Sequence, residues 1–114
     1  MTTEAILSPL VKRGLFDDVE DAARALVRNY VLQQIDACRR EIAGYESKHG
    51  MSFEQFTRYT GKRTTQLSQH SNLPEAQRAT LAQAIMEDEQ DWLEWKAAEE
   101  MLHSWLGLKE EAVA

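Results

Sequence analysis

An apolar residue returns every three or four positions along one unusually long stretch of this chain. Val19, Ala23, Val27, Val31, Ile35, Cys38, Ile42 and Tyr45 follow one another at helical spacing, and from Val31 the intervals run four, three, four, three. Leu26 and Tyr30 widen the same face in its first half. Asp17 and Asp18 stand where an N-cap belongs, Glu20 and Asp21 fall in the first turn, and Gly50 follows the last periodic residue. The pattern predicts one helix over about 19–49. A helix of this length outruns the core of one small domain, so the heptad-like stripe predicts a partner helix from a second copy of the chain, packed through Val27, Val31, Ile35, Cys38 and Ile42.

The rest of the chain reads as further helices. Ser8-Pro9 resembles an N-cap followed by proline at the first helical position, with Gly14 as the stop. Ahead of it, Thr2 to Leu7 fits either a short strand or a frayed helical turn. Met51-Ser52-Phe53-Glu54-Gln55-Phe56 carries a capping box, Ser52 with Gln55, and predicts a short helix over 53–60. Gly61 to Asn72 is polar and rich in Thr, Ser and Gln, which predicts a connecting loop carrying Lys62, Arg63 and His70. Ser71 or Asn72, then Pro74 and Glu75, opens a last helical region over 74–106 that Gly107 would end. Its stripe of Leu81, Ile85, Trp92, Trp95, Leu102 and Leu106 is interrupted by Asp88 and Glu99. Unpaired acids are costly at core positions, so a break is expected near Asp88–Glu89. The expected fold is all-α: a single helical domain over 1–114, with a dimerisation part over 1–50 and a partner-binding part over 51–114.

Charge separates these parts. Residues 1–56 hold seven basic and nine acidic groups, residues 57–78 four against one, and residues 79–114 two against nine, so the net −6 is concentrated at the C-terminal end. Such a segment repels phosphate and favours a cationic protein partner over nucleic acid. Cys38 is the single cysteine, which excludes an intrachain disulfide and fits a reducing compartment. With no basic leader and no long apolar run, a cytoplasmic location away from membranes is expected.

Chemistry-bearing patterns are few. Glu46 with His49, and Glu100 with His103, are two Glu-x-x-His pairs whose spacing could chelate a di-metal centre. Both histidines also lie near expected helix C-termini, where a cation is stabilised without any metal. There is no phosphate-binding glycine loop, nucleophile elbow or Cys-x-x-Cys pair. The chain is therefore expected to be no enzyme and to need no cofactor. Trp92, Trp95 and Trp105 crowd into the acidic region and suit either a core or an interface.

The segment from Leu10 through Gly14, Phe16, Asp18, Glu20 and Arg24 to Leu26 resembles the start of small antitoxins from type II toxin–antitoxin modules. These include ribbon-helix-helix proteins, which dimerise and read operator DNA with a two-stranded ribbon. Tyr45-Glu46-Ser47-Lys48-His49-Gly50-Met51-Ser52-Phe53-Glu54-Gln55-Phe56 and Asp91-Trp92-Leu93-Glu94-Trp95 resemble later stretches of a helical antitoxin-like group. The resemblance implies a dimer that binds and neutralises a cognate toxin through its C-terminal helices, with Trp92, Glu94, Trp95, Glu99, Met101 and Trp105 making the contact. It also implies, as an alternative, a DNA-binding autorepressor. However, Met1 to Leu7 carries Glu4 and neither Lys nor Arg, which favours the toxin-binding half.

Overall fold

The computed structural model describes residues 1–69 and 73–113 and is all-helical over them, in the order α1 (Thr3–Lys12), α2 (Val19–His49), α3 (Phe53–Gln69) and α4 (Glu75–Val113). None of these helices is long and apolar enough to cross a membrane.

The ends of α1 and α2 follow from local chemistry. Thr2 caps α1, its Oγ1 accepting from the Ala5 amide at 3.1 Å. The helix therefore starts well before Ser8-Pro9, and Pro9 lies inside it, so the expected N-cap at Ser8 is corrected, and of the two readings of Thr2–Leu7 the helical one holds and the strand does not. A cap two residues into the chain lets the whole segment close helical hydrogen bonds, and proline removes one of them. At the other end Gly14 adopts φ +74°, its amide bonds Val11 O at 2.9 Å, and the Leu15 amide bonds Leu10 O at 3.1 Å. This is a Schellman closure, which needs the left-handed residue glycine supplies. Asp18 opens α2 by accepting from the Asp21 amide at 2.8 Å, and Gly50, at φ +61°, closes it. The expected span of 19–49 is the observed one.

Two expectations for the second half are overturned. The capping box at α3 forms in both directions, Ser52 N to Gln55 Oε1 at 2.9 Å and Gln55 N to Ser52 Oγ at 3.2 Å. The helix then continues past Gly61 to Gln69, where a loop was expected. The threonine hydroxyls donate to carbonyls within α3, Thr57 to Phe53, Thr60 to Thr57, Thr64 to Thr60 and Thr65 to Gly61, so they do not compete for amides. The second correction concerns α4, which breaks neither at Asp88–Glu89 nor at Gly107. Asp88 is half-buried but paired with Arg63 of α3, which removes the penalty on which the expected break rested. His70 and the expected caps Ser71 and Asn72 lie outside the described residues.

The chain divides into two compact units. Unit 1 contains Met1–Ala37 and the part of α4 from Leu102, and its buried apolar residues are Leu7, Ala22, Val31 and Ile35. Unit 2 spans Cys38–Met101 and buries Cys38, Ile42, Phe56, Ile85, Trp95 and Ala98.

Candidate interaction site

Unit 2 is organised around Trp95. Its indole is fully buried, stacked on Tyr45 at 5.7 Å and on Phe56 at 5.4 Å, with Phe53 edge-on at 5.5 Å. His49 lies flat against Phe56, ring centroids 4.1 Å apart. A polar rim ties α2 to α4. Asp91 Oδ2 meets His49 Nε2 at 2.8 Å and Lys48 Nζ at 2.6 Å. Burial pushes the Asp91 carboxyl up, but the hydrogen bonds and charges of Lys48 and His49 outweigh it and hold the group below the usual carboxylate value. Tyr45 Oη donates to Glu94 Oε2 at 2.8 Å. Burial, then the hydrogen bond to Glu94, pushes the Tyr45 phenol up to about 12. Arg63 pairs with Asp88 and lies over the Tyr59 ring at 5.3 Å.

These polar groups are spent on each other. His49, the best-placed acid or base of unit 2, presents its Nε2 to Asp91 and its ring face to Phe56. Glu46 is exposed, Glu100 stands 4.0 Å from Lys96, and His103 is exposed. Among the described residues no group of three His, Cys, Asp or Glu side chains is placed to hold a metal ion. The two Glu-x-x-His pairs, Glu46 with His49 and Glu100 with His103, are therefore not assembled into a centre.

The residues expected to meet a partner are dispersed. Trp95 is enclosed in the core of unit 2 and offers no surface. Trp92 is half-buried: its Nε1 donates to Thr57 Oγ1 at 2.8 Å, Phe53 stacks on it at 6.0 Å and Lys96 covers its ring at 5.2 Å. Glu94 is exposed but accepts from Tyr45 and from Gln90, and Glu99 is half-buried. Met101 is exposed, and Trp105 of unit 1 is half-buried with its ring 5.9 Å from Tyr30, edge to face. Of the residues expected to pair two copies of α2, Val31 and Ile35 are buried in unit 1 and Cys38 and Ile42 in unit 2, each within a single chain; Val27 alone is exposed. The stripe read as a dimer seam is occupied by the chain's own packing.

The periodicity puts Leu26, Val27 and Tyr30 on the buried face of α2, and the structure corrects this: they belong to an apolar surface left on unit 1. Ile6, Leu15, Leu26, Val27, Tyr30, Leu32 and Leu108 are all exposed there, Tyr30 by 57% and Val27 by 52%. In unit 2 the corresponding set is Tyr59, Met86, Leu93 and Met101. Leu26 and Tyr30 were legible as apolar helical residues, but their angular offset from the core stripe is what turns them outward. The ribbon expected of an operator-reading antitoxin has no strand to carry it among the described residues.

No family model, no curated protein and no solved structure matches this chain.

Proposed function

We propose that the chain is an antitoxin-like binding protein of the cytoplasm that neutralises a cognate toxin, and that unit 1 makes the contact. The observation that carries this reading is the apolar surface of unit 1, where Leu26, Val27, Tyr30 and Leu108 are exposed and Tyr30 meets the half-buried Trp105 edge to face. Exposed apolar side chains of this kind, concentrated on one unit, mark an association site, and aromatic anchors dominate the energetics of such sites. Glu110 and Glu111 are exposed beside Lys109 on the last turns of α4, and residues 79–114 hold nine acidic groups against two basic ones, which suits a cationic partner. A binding role rather than a catalytic one is supported by unit 2, where the half-buried His49, Asp91, Arg63 and Asp88 are engaged with one another. Co-expression with the product of the adjacent reading frame tests the proposal. The neighbour should be toxic alone, harmless with this chain, and co-purify with it, and Trp105→Ala should weaken the complex about tenfold or more. A neighbour that is harmless when expressed alone and does not associate would defeat the reading.

A further inference from the structure

Within unit 2, α3 and α4 part to leave a groove of about 380 Å³. One wall is a face of α3, Thr57, Thr60, Gly61 and Thr64; the other is a face of α4, Glu89, Trp92 and Leu93. The groove stays open because α3 brings short side chains to it, and a Cβ built on Gly61 meets nothing within 4 Å. Its aromatic wall is preformed: Trp92 is half-buried, with Phe53 stacked on its ring and Lys96 over it. Leu93 is 56% exposed and offers unoccupied apolar surface beside it.

The hydrogen-bonding capacity of this lining is one-sided. The hydroxyls of Thr57, Thr60 and Thr64 donate to the carbonyls of Phe53, Thr57 and Thr60. The Trp92 Nε1–H donates to Thr57 Oγ1. The amides of the lining residues lie inside helices, where they are already bonded. No donor on the lining is free. The Glu89 carboxylate, by contrast, is exposed, is the one charged group on the lining, and makes no hydrogen bond or ion pair among the described residues. An anion or a neutral acceptor finds nothing to bind here, whereas a cationic donor finds a carboxylate beside apolar surface. We propose that the groove binds a small organic amine, its apolar body against Trp92 and Leu93 and its ammonium on Glu89. The dimensions select a small molecule over a peptide. The volume falls at the lower end of small-molecule sites, and the α3 wall spans only about two turns, roughly 10 Å.

This site is independent of the toxin contact proposed for unit 1 and is tested on the full chain alone. Phenethylamine, phenethyl alcohol and hydrocinnamate carry the same ring with a positive, a neutral and a negative end. Titration of the amine should shift the indole N–H resonance of Trp92 saturably, that resonance being assigned by its loss in Trp92→Phe. The alcohol should bind more weakly and hydrocinnamate weakest of the three. Glu89→Gln should weaken the amine about three- to fivefold, the size of an exposed charge pair, and leave the alcohol unchanged. Gly61→Leu, which fills the groove at a helical position where leucine is favoured over glycine, should abolish binding of the amine. Circular dichroism should show wild-type helicity in both variants. Should Gly61→Leu fail to fold, Glu89→Gln decides, because Glu89 has no partner to lose. Absence of a saturable shift, equal affinity for the amine and hydrocinnamate, or an amine affinity that Glu89→Gln leaves unchanged overturns the proposal.

Discussion

At the scale of single residues, unit 2 depends on Trp95 and Asp91 for different reasons. Trp95 fills the space between Tyr45, Phe53 and Phe56, yet its Nε1 is buried with no hydrogen-bond partner. Truncation opens a cavity that three rigid rings cannot collapse, so Trp95→Ala should cost about 3–5 kcal/mol in chemical denaturation. Trp95→Phe keeps a ring in place and removes the unsatisfied donor, so we expect less than half that cost. Equal costs for the two would show that the rings do not carry the packing. Asp91 acts through charge. Its side chain is only 15% exposed and holds both Lys48 and His49. Its carboxyl lies below the ordinary aspartate value in the folded chain, so its contribution is present above the unfolded value and is lost as pH falls through the lower folded one. Asp91→Asn should therefore destabilise by about 1–2 kcal/mol at neutral pH, after allowance for solvent screening. The gap between wild type and variant should shrink in acid, below the unfolded carboxyl's range. A gap that stays constant down to the acid transition would mean that the ion pairs contribute nothing.

The helices themselves show which kinds of signal a sequence carries. The span of α2, its Asp18 cap, the glycine stops at Gly14 and Gly50, and the Ser52–Gln55 box were all legible, because each is a contact between residues at most five apart. The errors arise where a distant residue changes the sign of a local preference. Asp88 looked like a break until Arg63, 25 positions away, paired with it. The polar run from Gly61 looked like a loop, although its threonines turn their hydroxyls back onto their own helix. The His49–Asp91 contact joins residues 42 apart that no short motif links. For the same reason the candidate surface was legible only as a set of apolar residues: periodicity gives a face, and only packing tells which face remains uncovered. Gly107 offers a direct check on element continuity. It lies inside α4 without positive φ, and a Cβ built there meets nothing within 4 Å. Gly107→Ala should therefore stabilise the chain by about 0.5–1 kcal/mol, through reduced freedom of the unfolded state. A loss of stability would restore Gly107 as the helix stop that the sequence suggested.

For the molecule as a whole, the unequal furnishing of the two units has a dynamic consequence. Unit 2 encloses Trp95, Phe56, Ile42 and Ile85 and adds the Asp91 and Asp88 ion pairs, whereas among the described residues unit 1 buries Leu7, Ala22, Val31 and Ile35. Local opening is easiest where few apolar contacts hold the backbone. Native-state hydrogen exchange should therefore find smaller opening free energies for amides of α1 and of α2 before Ala37 than for those near Ile42, Phe56 and Trp95. The difference should depend on association. A ligand that binds the folded form and not the opened one raises protection by mass action, and the proposed toxin contact falls on unit 1. Adding the toxin should slow exchange around Leu26, Tyr30 and Trp105. Amides of unit 2 should not respond beyond any general gain in stability. Uniform protection along the chain, unchanged by the partner, would mean that unit 1 is complete as it stands and that its apolar surface has no occupant.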